Sequence, residues 1–235
     1  MPKKDVVVDT IQIALFPNNF GIENPTSFGT KLLMNKVIKE DDLVINSYLD
    51  EKAPANIVRL EAKIANKREI EVIVSQSKVD FFWRNFKSEV DYQIDVSEIL
   101  KVVKEFCEVI LKDHTFTRVG FITTLYKEID DPQELIKLNI LNKNKFSSDL
   151  LDGQIKLTFD YQSSDLDKTV NYNKHILITD GKKKNDLTKK VVGIQYDLNT
   201  RQDQKLEWSF KEVEVFIKNA QKTSDKDVIF KEFFG

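Results

Sequence analysis

The order of predicted elements repeats along the chain, and this repetition constrains the fold more than any single motif. Alternating apolar residues predict strands, and apolar residues at helical spacing predict helices. Residues 6–114 follow the order strand, helix, three strands, helix, and residues 116–234 follow the same order. Helices have to cover the apolar face of a sheet, so each repeat supplies its own core. We therefore expect an α+β protein of two tandem β-α-β-β-β-α units, residues 1–114 and residues 115–235.

We expect the two units to form antiparallel sheets, each covered by helices, in a pseudo-twofold arrangement. The strands then form either one continuous sheet or two packed sheets, and the second unit ends in an extra helix. A clean alternation over residues 57–65 predicts a strand, followed by a tight turn at Asn66 and Lys67. The next strand, at residues 70–74, is expected to continue past a kink at residues 76–77 as far as Trp83.

Helices are predicted from apolar stripes and from capping pairs at their first turns. One helix is expected over residues 28–39, and apolar stripes at a spacing of three or four residues predict two longer helices that cover the sheets. A capping side chain followed three residues later by an acid marks a helix start. The stripes are Ile99, Val103 and Phe106, and Val213, Phe216 and Ile217; the capping pairs are Asp95 with Glu98, Asp131 with Glu134, Ser209 with Glu212, and Ser224 with Asp227.

Composition excludes several classes of function and location. The chain has 36 Lys and Arg against 38 Asp and Glu, a net charge of -2, so no overall field attracts nucleic acid or an anionic membrane. No stretch approaches the ~20 apolar residues that span a bilayer. The single Cys107 lies on the apolar side of a predicted helix and has no disulfide partner within the chain, which favours a buried thiol in a reducing compartment. We expect a cytoplasmic protein that does not bind membranes.

No catalytic motif stands out. The chain lacks the glycine-rich phosphate loops, the G-x-S-x-G elbow and the C-x-x-C pair, and it has only 7 glycines. Asp165, Asp167 and His175 lie within eleven residues of one another, but their spacing matches no standard metal site. The sequence therefore predicts no catalytic residue, no metal and no cofactor, and it favours a protein that is not an enzyme.

Two sets of residues are candidates for binding. Five lysines, flanking a short NDLT segment between two predicted strands, are candidates for contacts with nucleic-acid phosphates: Lys182, Lys183, Lys184, Lys189 and Lys190. The loop has no interleaved aromatic residues, which favours a solvated hairpin tip instead. Partner-binding candidates are Trp83 and Arg84 at a strand end, and Phe233 and Phe234 in the apolar C-terminal segment. The alternatives are a core tryptophan, an arginine paired with an acid, and a segment that docks on its own chain.

One stretch resembles a known family. Residues 72–86, VIVSQSKVDFFWRNF, comprise a strand, a polar turn and a strand ending in Trp-Arg, followed by a helix and by the strand FTRVGFITTLYKEI at residues 116–129. This order, with the Phe-rich C-terminal helix, resembles a sporadically distributed family of uncharacterised bacterial proteins of about this length. That family often has Tyr and Asn after the Arg-Gly strand, where this chain has Thr123 and Thr124. The resemblance implies no activity; its patchy occurrence implies carriage on mobile genomic islands, where defence cassettes are common.

The function expected from the sequence is that of a non-enzymatic binding or interaction protein. We expect an accessory subunit of a bacterial complex, with a protein partner or a second copy of the chain as its ligand. One alternative is a nucleic-acid-binding accessory protein that uses the lysines at residues 182–190. A second alternative is an enzyme with an unrecognised site in the cleft between the two units.

Overall fold

The described part of the protein is built on a single antiparallel sheet of nine strands, which helices cover on one face. The structure, a computed structural model, describes residues 6–22, 27–28, 30–31, 44–48, 57–64, 68–85, 92–139, 154–163, 169–183, 186–204 and 206–234. Along the chain the strands are β1 (Val7–Pro17), β2 (Val44–Tyr48), β3 (Ile57–Ile64), β4 (Arg68–Val74), β5 (Val79–Asn85), β6 (Phe116–Glu128), β7 (Gln154–Ser163), β8 (Val170–Lys183) and β9 (Asp186–Thr200).

The strands lie in the order β2-β3-β4-β5-β1-β6-β9-β8-β7, and every neighbouring pair is antiparallel. At the centre, β1 pairs with β6, so that Ile13 is opposite Phe121 and Ala14 is opposite Gly120. Of the two predicted arrangements, the continuous sheet is the one observed. It combines strands from residues 1–114 with strands from residues 115–235, and the hydrogen bonds between β1 and β6 join the two sets.

The described helices all pack on one face of the sheet. They are α1 (Tyr92–Ile110), α2 (Pro132–Asn139), α3 (Phe210–Thr223) and α4 (Lys226–Phe234). Side chains on alternate positions of each strand point to this face, and each helix contacts some of them. The contacting pairs are Phe106 of α1 with Phe81, Gln133 of α2 with Asp180, Phe216 of α3 with Tyr172, and Phe230 of α4 with Lys127.

The apolar stripes predicted for α1 and α3 are confirmed as the core. The side chains of Ile99, Val103 and Phe106 are fully buried, and α3 buries Val213, Phe216 and Ile217. Phe106 meets Phe81 edge to face, with 5.3 Å between the ring centroids. None of the described helices is both long enough and apolar enough to cross a membrane.

The prediction of one strand running from residue 70 past a kink to Trp83 is wrong. Residues 75–78 are the turn of a hairpin, in which Ser75 N and Oγ bond to the Lys78 carbonyl, and β4 pairs antiparallel with β5. Four strands, β2 to β5, therefore lie between β1 and α1 where three were predicted. The turn contains neither Gly nor Pro, so the usual signal of a chain reversal is missing from the sequence.

Two predicted helix starts are confirmed. Asp131 Oδ1 accepts the backbone N–H of Glu134 at 3.0 Å before α2, and Ser209 forms a capping box with Glu212 before α3. The box has both of its reciprocal bonds, because Glu212 Oε2 also accepts the Ser209 N–H at 2.7 Å. These starts are set by local sequence alone, which is why the pattern identifies them.

The other two predicted starts are wrong. Helix α1 begins at Tyr92, so Asp95 lies inside its first turn rather than before it. Helix α4 is capped by Asp225, whose Oδ1 accepts the N–H groups of Asp227 and Val228, while Ser224 is the C-cap of α3. The predicted helix at residues 28–39 and the turn at residues 66–67 lie outside the described residues, except that residues 28, 30 and 31 are helical.

Candidate binding surface on the opposite face of the sheet

The face of the sheet opposite the helices, here called the helix-free face, carries no helix within the described part of the chain. Its side chains alternate with those of the core along each strand. Most are half-buried and polar or aromatic, in contrast to the fully buried apolar side chains under the helices. They include Thr10, Gln12, Ala14, Phe16, Asp80, Phe82, Arg84, Arg118, Ile122, Thr124, Tyr126, Asn171, Asn173, His175, Gln195, Asp197 and Asn199.

Arg118, near the start of the central strand β6, has a guanidinium that lacks an anionic partner among the described residues. Its Nη2 donates to Asn199 Oδ1 at 2.9 Å, and its Cζ lies 5.0 Å from the centroid of the Phe16 ring. Its Nε is buried with no hydrogen-bond partner, and no described carboxylate lies within ion-pair distance. A guanidinium binds carboxylates through short, charge-assisted hydrogen bonds, so Arg118 has unused capacity for an anion.

A cavity of about 640 Å³ lies beside Arg118, where β1 ends and β6 begins. Gln204 lines it and donates Nε2 to the Asn171 carbonyl at 3.2 Å, while its Oε1 is buried without a hydrogen-bond partner among the described residues. Two side chains of the lining, Arg118 and Gln204, therefore each have a buried polar atom without a hydrogen-bond partner among the described residues. Its lining comprises Phe16, Pro17, Asn18, Ser77, Thr117, Arg118, Gln202, Gln204, Leu206 and Glu207.

Phe16 lies between two cations on the same face. The centroid of the Phe16 ring is 5.5 Å from Lys78 Nζ and 5.0 Å from Arg118 Cζ. Lys78 is also paired with Asp80 at 2.8 Å, and Gln12 donates to the same carboxylate at 2.8 Å. The ring is held in place by these neighbours and keeps part of its surface exposed, which suits it to contact with a partner.

Small residues form the floor of the face next to Arg118. Ala14 of β1 is opposite Gly120 of β6, and Gly120 is opposite Asn199 of β9. A Cβ on Gly120 would lie 3.5 Å from Asn199 Cβ and 3.6 Å from Ala14 Cβ, both ordinary contacts. Gly120 therefore has space for a Cβ on this face without displacing its neighbours.

Arg84 and Lys183, two other cations of this face, are each paired with a carboxylate. Arg84 Nη2 lies 2.6 Å from Glu71 Oε2, and the Glu71 side chain is 1% exposed. Lys183 donates to Glu128 Oε1 at 2.8 Å, which lowers the pKa of Glu128 and raises the pKa of Lys183. Burial raises the pKa of the Tyr126 hydroxyl beside this pair. A charge already matched in this way attracts a ligand less than Arg118 does.

Trp83 and Arg84, the partner-binding candidates on β5, lie on opposite faces. Trp83 is fully buried under the helices, and its Nε1 has no hydrogen-bond partner among the described residues. Arg84 points to the helix-free face, lies 5.4 Å from the Phe82 ring and pairs with Glu71. Since adjacent strand residues face opposite sides, the two residues cannot form one site. Trp83 belongs to the core, and Arg84 belongs to the candidate surface.

The lysines proposed for phosphate contacts lie mainly on strands rather than in a loop. Lys182 and Lys183 belong to β8, and Lys189 and Lys190 belong to β9, while Lys184 lies outside the described residues. Lys183 and Lys189 share one carboxylate, Glu128, at 2.8 and 3.4 Å. Two of the four described lysines therefore already have an anionic partner within the protein.

The C-terminal candidates pack on their own chain. In α4, Ile229 is fully buried and Phe230 nearly so, while Phe233 and Phe234 are half-buried against the core. Val228 is 51% exposed. This is the own-chain docking that the sequence left open as an alternative to an interface.

Cys107 and His175 have the environments of structural residues. Cys107 is 3% exposed, and burial together with the neighbouring Glu108 carboxylate raises the pKa of its thiol. A raised pKa keeps the thiol protonated and a poor nucleophile. His175 Nδ1 lies 3.0 Å from Thr158 Oγ1, and Asp165 and Asp167 lie outside the described residues. The described residues hold no group of three His, Cys, Asp or Glu that is arranged to bind a metal.

Comparison with known proteins finds no match to any family model and no match among curated proteins. The candidate site therefore depends on geometry. Sequence reasoning did not single out Arg118, Phe16 or Gln204, because Arg118 and its partner Asn199 are 81 residues apart in the chain. The one sequence signal was the alternation of β6, which places Arg118 on the side opposite the core residues Val119 and Phe121.

Proposed function

We propose that the protein is a non-enzymatic binding protein and that a partner protein docks on the helix-free face of its sheet. One observation carries this proposal: Arg118 of the central strand β6 lies on that face, and its guanidinium, which lacks an anionic partner among the described residues, lies next to the half-buried ring of Phe16. Arginine and aromatic side chains are enriched at protein interfaces and are frequent hot spots. The small residues Ala14 and Gly120 lie beside Arg118, and a Cβ on Gly120 would make only ordinary contacts.

A protein fits this face better than a nucleic acid does. Non-specific nucleic-acid binding needs several unpaired cations to neutralise successive phosphates. On this face Arg84, Lys78 and Lys183 are each paired with a carboxylate, and the whole chain has a net charge of -2. The lysines at residues 182–190 remain the alternative, weakened by the pairing of Lys183 and Lys189 with Glu128.

The strand order supports a finer proposal about the fold. Counting outward from the centre, β1 is followed by β5, β4 and β3, and β6 is followed by β9, β8 and β7. We regard residues 1–114 and residues 115–235 as two tandem units in a pseudo-twofold arrangement, with β2 as an addition to the first. On this proposal the seam between the units passes through Ala14 and Gly120, so a docked partner contacts both units.

The cellular setting comes from the family resemblance and the composition. On this proposal the protein is a cytoplasmic accessory subunit of a bacterial complex that is encoded on a mobile element and acts in defence. A partner that supplies any chemistry suits a chain whose described residues include no catalytic constellation. A second copy of the chain is the other candidate for the partner.

The proposal is tested by filling the floor of the face. Gly120→Leu places a bulky side chain on the helix-free face without a steric clash at its Cβ. Wild-type and variant proteins carrying the same tag are recovered from the source cells and compared by quantitative mass spectrometry. We expect the proteins that co-purify with the wild type to be lost from Gly120→Leu, with the native mass of the recovered complex falling to that of the free chain.

Val109→Leu is the matched control, because Val109 is exposed on α1, on the other side of the molecule. It should retain every partner of the wild type. Equal recovery of the same partners by Gly120→Leu and by Val109→Leu would contradict the proposal. A wild-type complex that contains only this chain would identify the partner as a second copy.

A further inference from the structure

The cavity beside Arg118 has hydrogen-bonding capacity that the described residues leave unused. Only one N–H group of Arg118 donates a hydrogen bond among them, the one to Asn199, and the Nε atom has no partner. In the same lining, Gln204 Oε1 has no donor, although its Nε2 donates to the Asn171 carbonyl. Buried polar atoms without partners are rare in proteins and need an explanation. A bound group that accepts from Arg118 and donates to Gln204 supplies one.

We infer that this cavity binds an Asp or Glu side chain presented by an extended segment of the partner protein. The inference rests on the proposed function and names the chemistry that the docking surface recognises. The carboxylate accepts hydrogen bonds from the Arg118 guanidinium, and a backbone N–H of the same segment donates to Gln204 Oε1. Both residues line the cavity while Nε and Oε1 are out of contact with solvent, so binding requires these side chains to turn towards the segment.

The charges around the cavity favour a carboxylate over a phosphate group. Arg118 is the cation in the lining, and Glu207 contributes an acid to the same lining. Lys78, the nearest further cation across the Phe16 ring, is already neutralised by Asp80. The single positive charge of Arg118 matches the single charge of a carboxylate more closely than the approximately double charge of a phosphate monoester at neutral pH, and Glu207 repels the doubly charged group more strongly.

The size of the cavity and the ring of Phe16 both suit an Asp or Glu side chain. A volume of about 640 Å³ accommodates a side chain together with part of its backbone. The Phe16 ring lies between Arg118 and Lys78 and offers an apolar surface to the methylene groups of Asp or Glu. A guanidinium that stacks on a ring while it binds a carboxylate is an arrangement that Lys cannot reproduce.

The test uses the full chain and follows the side-chain Nε–H resonance of Arg118 by NMR. Three probes are titrated separately: acetyl-glutamate amide, its neutral counterpart acetyl-glutamine amide, and inorganic phosphate. We expect a saturable shift of the Arg118 resonance with acetyl-glutamate amide, and binding of the glutamine counterpart weaker by about tenfold or more, because a charge-assisted bond is lost. Phosphate should bind more weakly than acetyl-glutamate amide.

Two variants complete the test. Arg118→Gln removes the guanidinium and should weaken acetyl-glutamate amide binding by about tenfold or more. Lys156→Gln removes the same charge from an exposed position of β7 and should leave the affinity within about twofold. The wild-type titration decides the question even if Arg118→Gln does not fold, because the resonance is observed in the unaltered chain.

Three outcomes would overturn the inference. These are no saturable shift of the Arg118 resonance with acetyl-glutamate amide, equal binding of the glutamine counterpart, or tighter binding of phosphate. Each of them leaves the docking proposal standing or falling on Gly120→Leu, which alters the floor of the face rather than the cavity. If acetyl-glutamate amide binds in the cavity but Gly120→Leu still recovers every partner, the cavity binds a carboxylate and the docking proposal alone is wrong.

Discussion

Two arginines on the same face of the sheet illustrate how a neighbouring side chain decides the role of a residue. Arg84 lies beside Glu71, and each satisfies the charge of the other across 2.6 Å. Arg118 lies beside Asn199, a neutral amide that accepts one hydrogen bond but supplies no charge. Arg84 therefore contributes to the stability of the sheet, whereas Arg118 retains the capacity to bind an anion from outside the chain.

The Arg84–Glu71 pair leads to a prediction about stability. Arg84→Ala removes the guanidinium that pairs with the Glu71 carboxylate, 1% exposed, and should lower the free energy of unfolding by about 3 kcal/mol. The double variant Glu71→Leu with Arg84→Met should recover most of this loss, because it removes both charges together. Urea unfolding of the three proteins at neutral pH measures the difference. A cost below about 0.5 kcal/mol for Arg84→Ala would mean that the pair contributes little.

The Lys183–Glu128 pair leads to a prediction about pH. The hydrogen bond from Lys183 lowers the pKa of Glu128 in the folded protein. Its stabilisation is therefore fully present above the unfolded pKa of about 4.3 and is lost as the pH falls through the lowered folded value. Glu128→Gln should cost less than about 1 kcal/mol near neutral pH, because the pair is partly exposed, and nothing once Glu128 is protonated. Urea midpoints between pH 2 and pH 7 test this, and a cost that does not change with pH would contradict it.

At the scale of elements, the sequence predicts those features that depend on residues close together in the chain. The alternation of β1 and β9 and the stripes of α1 and α3 assign core side chains correctly, because burial follows the periods of strand and helix. The capping box at Ser209 also depends on residues three positions apart. The β4–β5 turn was missed because Ser75, Gln76, Ser77 and Lys78 lack the residues that usually mark a reversal.

The candidate site could not be predicted in the same way. Alternation places Arg118 and Phe16 on one side of their strands but does not say that β1 lies beside β6 or that β9 follows next. Their contact depends on strand order, and strand order depends on pairings between residues about a hundred positions apart. The cavity also needs Gln204, which lies beyond the end of β9 and has no periodic signal of its own.

Helix α1 is expected to be essential to the core. Phe106 is fully buried and packs edge to face on Phe81, so Phe106→Ala leaves a cavity between the helix and the sheet. We expect a loss of about 3–5 kcal/mol in the free energy of unfolding. Thermal melting measures it, with Val109→Ala as a control on the exposed side of the same helix. An unchanged melting temperature for Phe106→Ala would contradict the packing of α1.

Helix α4 should stabilise the fold rather than form an interface. Ending the chain at Asp227 removes Ile229 and Phe230, both buried, and should cost about 3–6 kcal/mol at roughly 1.5–3 kcal/mol for each side chain. Val228→Ala, at an exposed position, should change the stability by less than about 0.5 kcal/mol. Melting temperature and mass in solution are measured together. A truncated chain that stays fully stable but loses a partner would assign α4 to an interface instead.

At the scale of the whole molecule, the two faces of the sheet have different roles. The helices and the apolar side chains under them supply the stability, and the opposite face collects side chains that are polar, aromatic and half-buried. Because β1 and β6 meet at the centre, both halves of the chain contribute to that face. The proposed function depends on this division, since a partner can dock on the helix-free face without disturbing the core.

Photo-crosslinking in the source cells tests the central claim most directly. A benzophenone amino acid replaces Ile122, on the helix-free face between Gly120 and Thr124, and in a second protein it replaces Val109, exposed on α1. Irradiation should produce a crosslinked product of discrete mass from position 122 and none from position 109. Products from position 109 alone, or the same products from both positions, would contradict the assignment of the helix-free face as the binding surface.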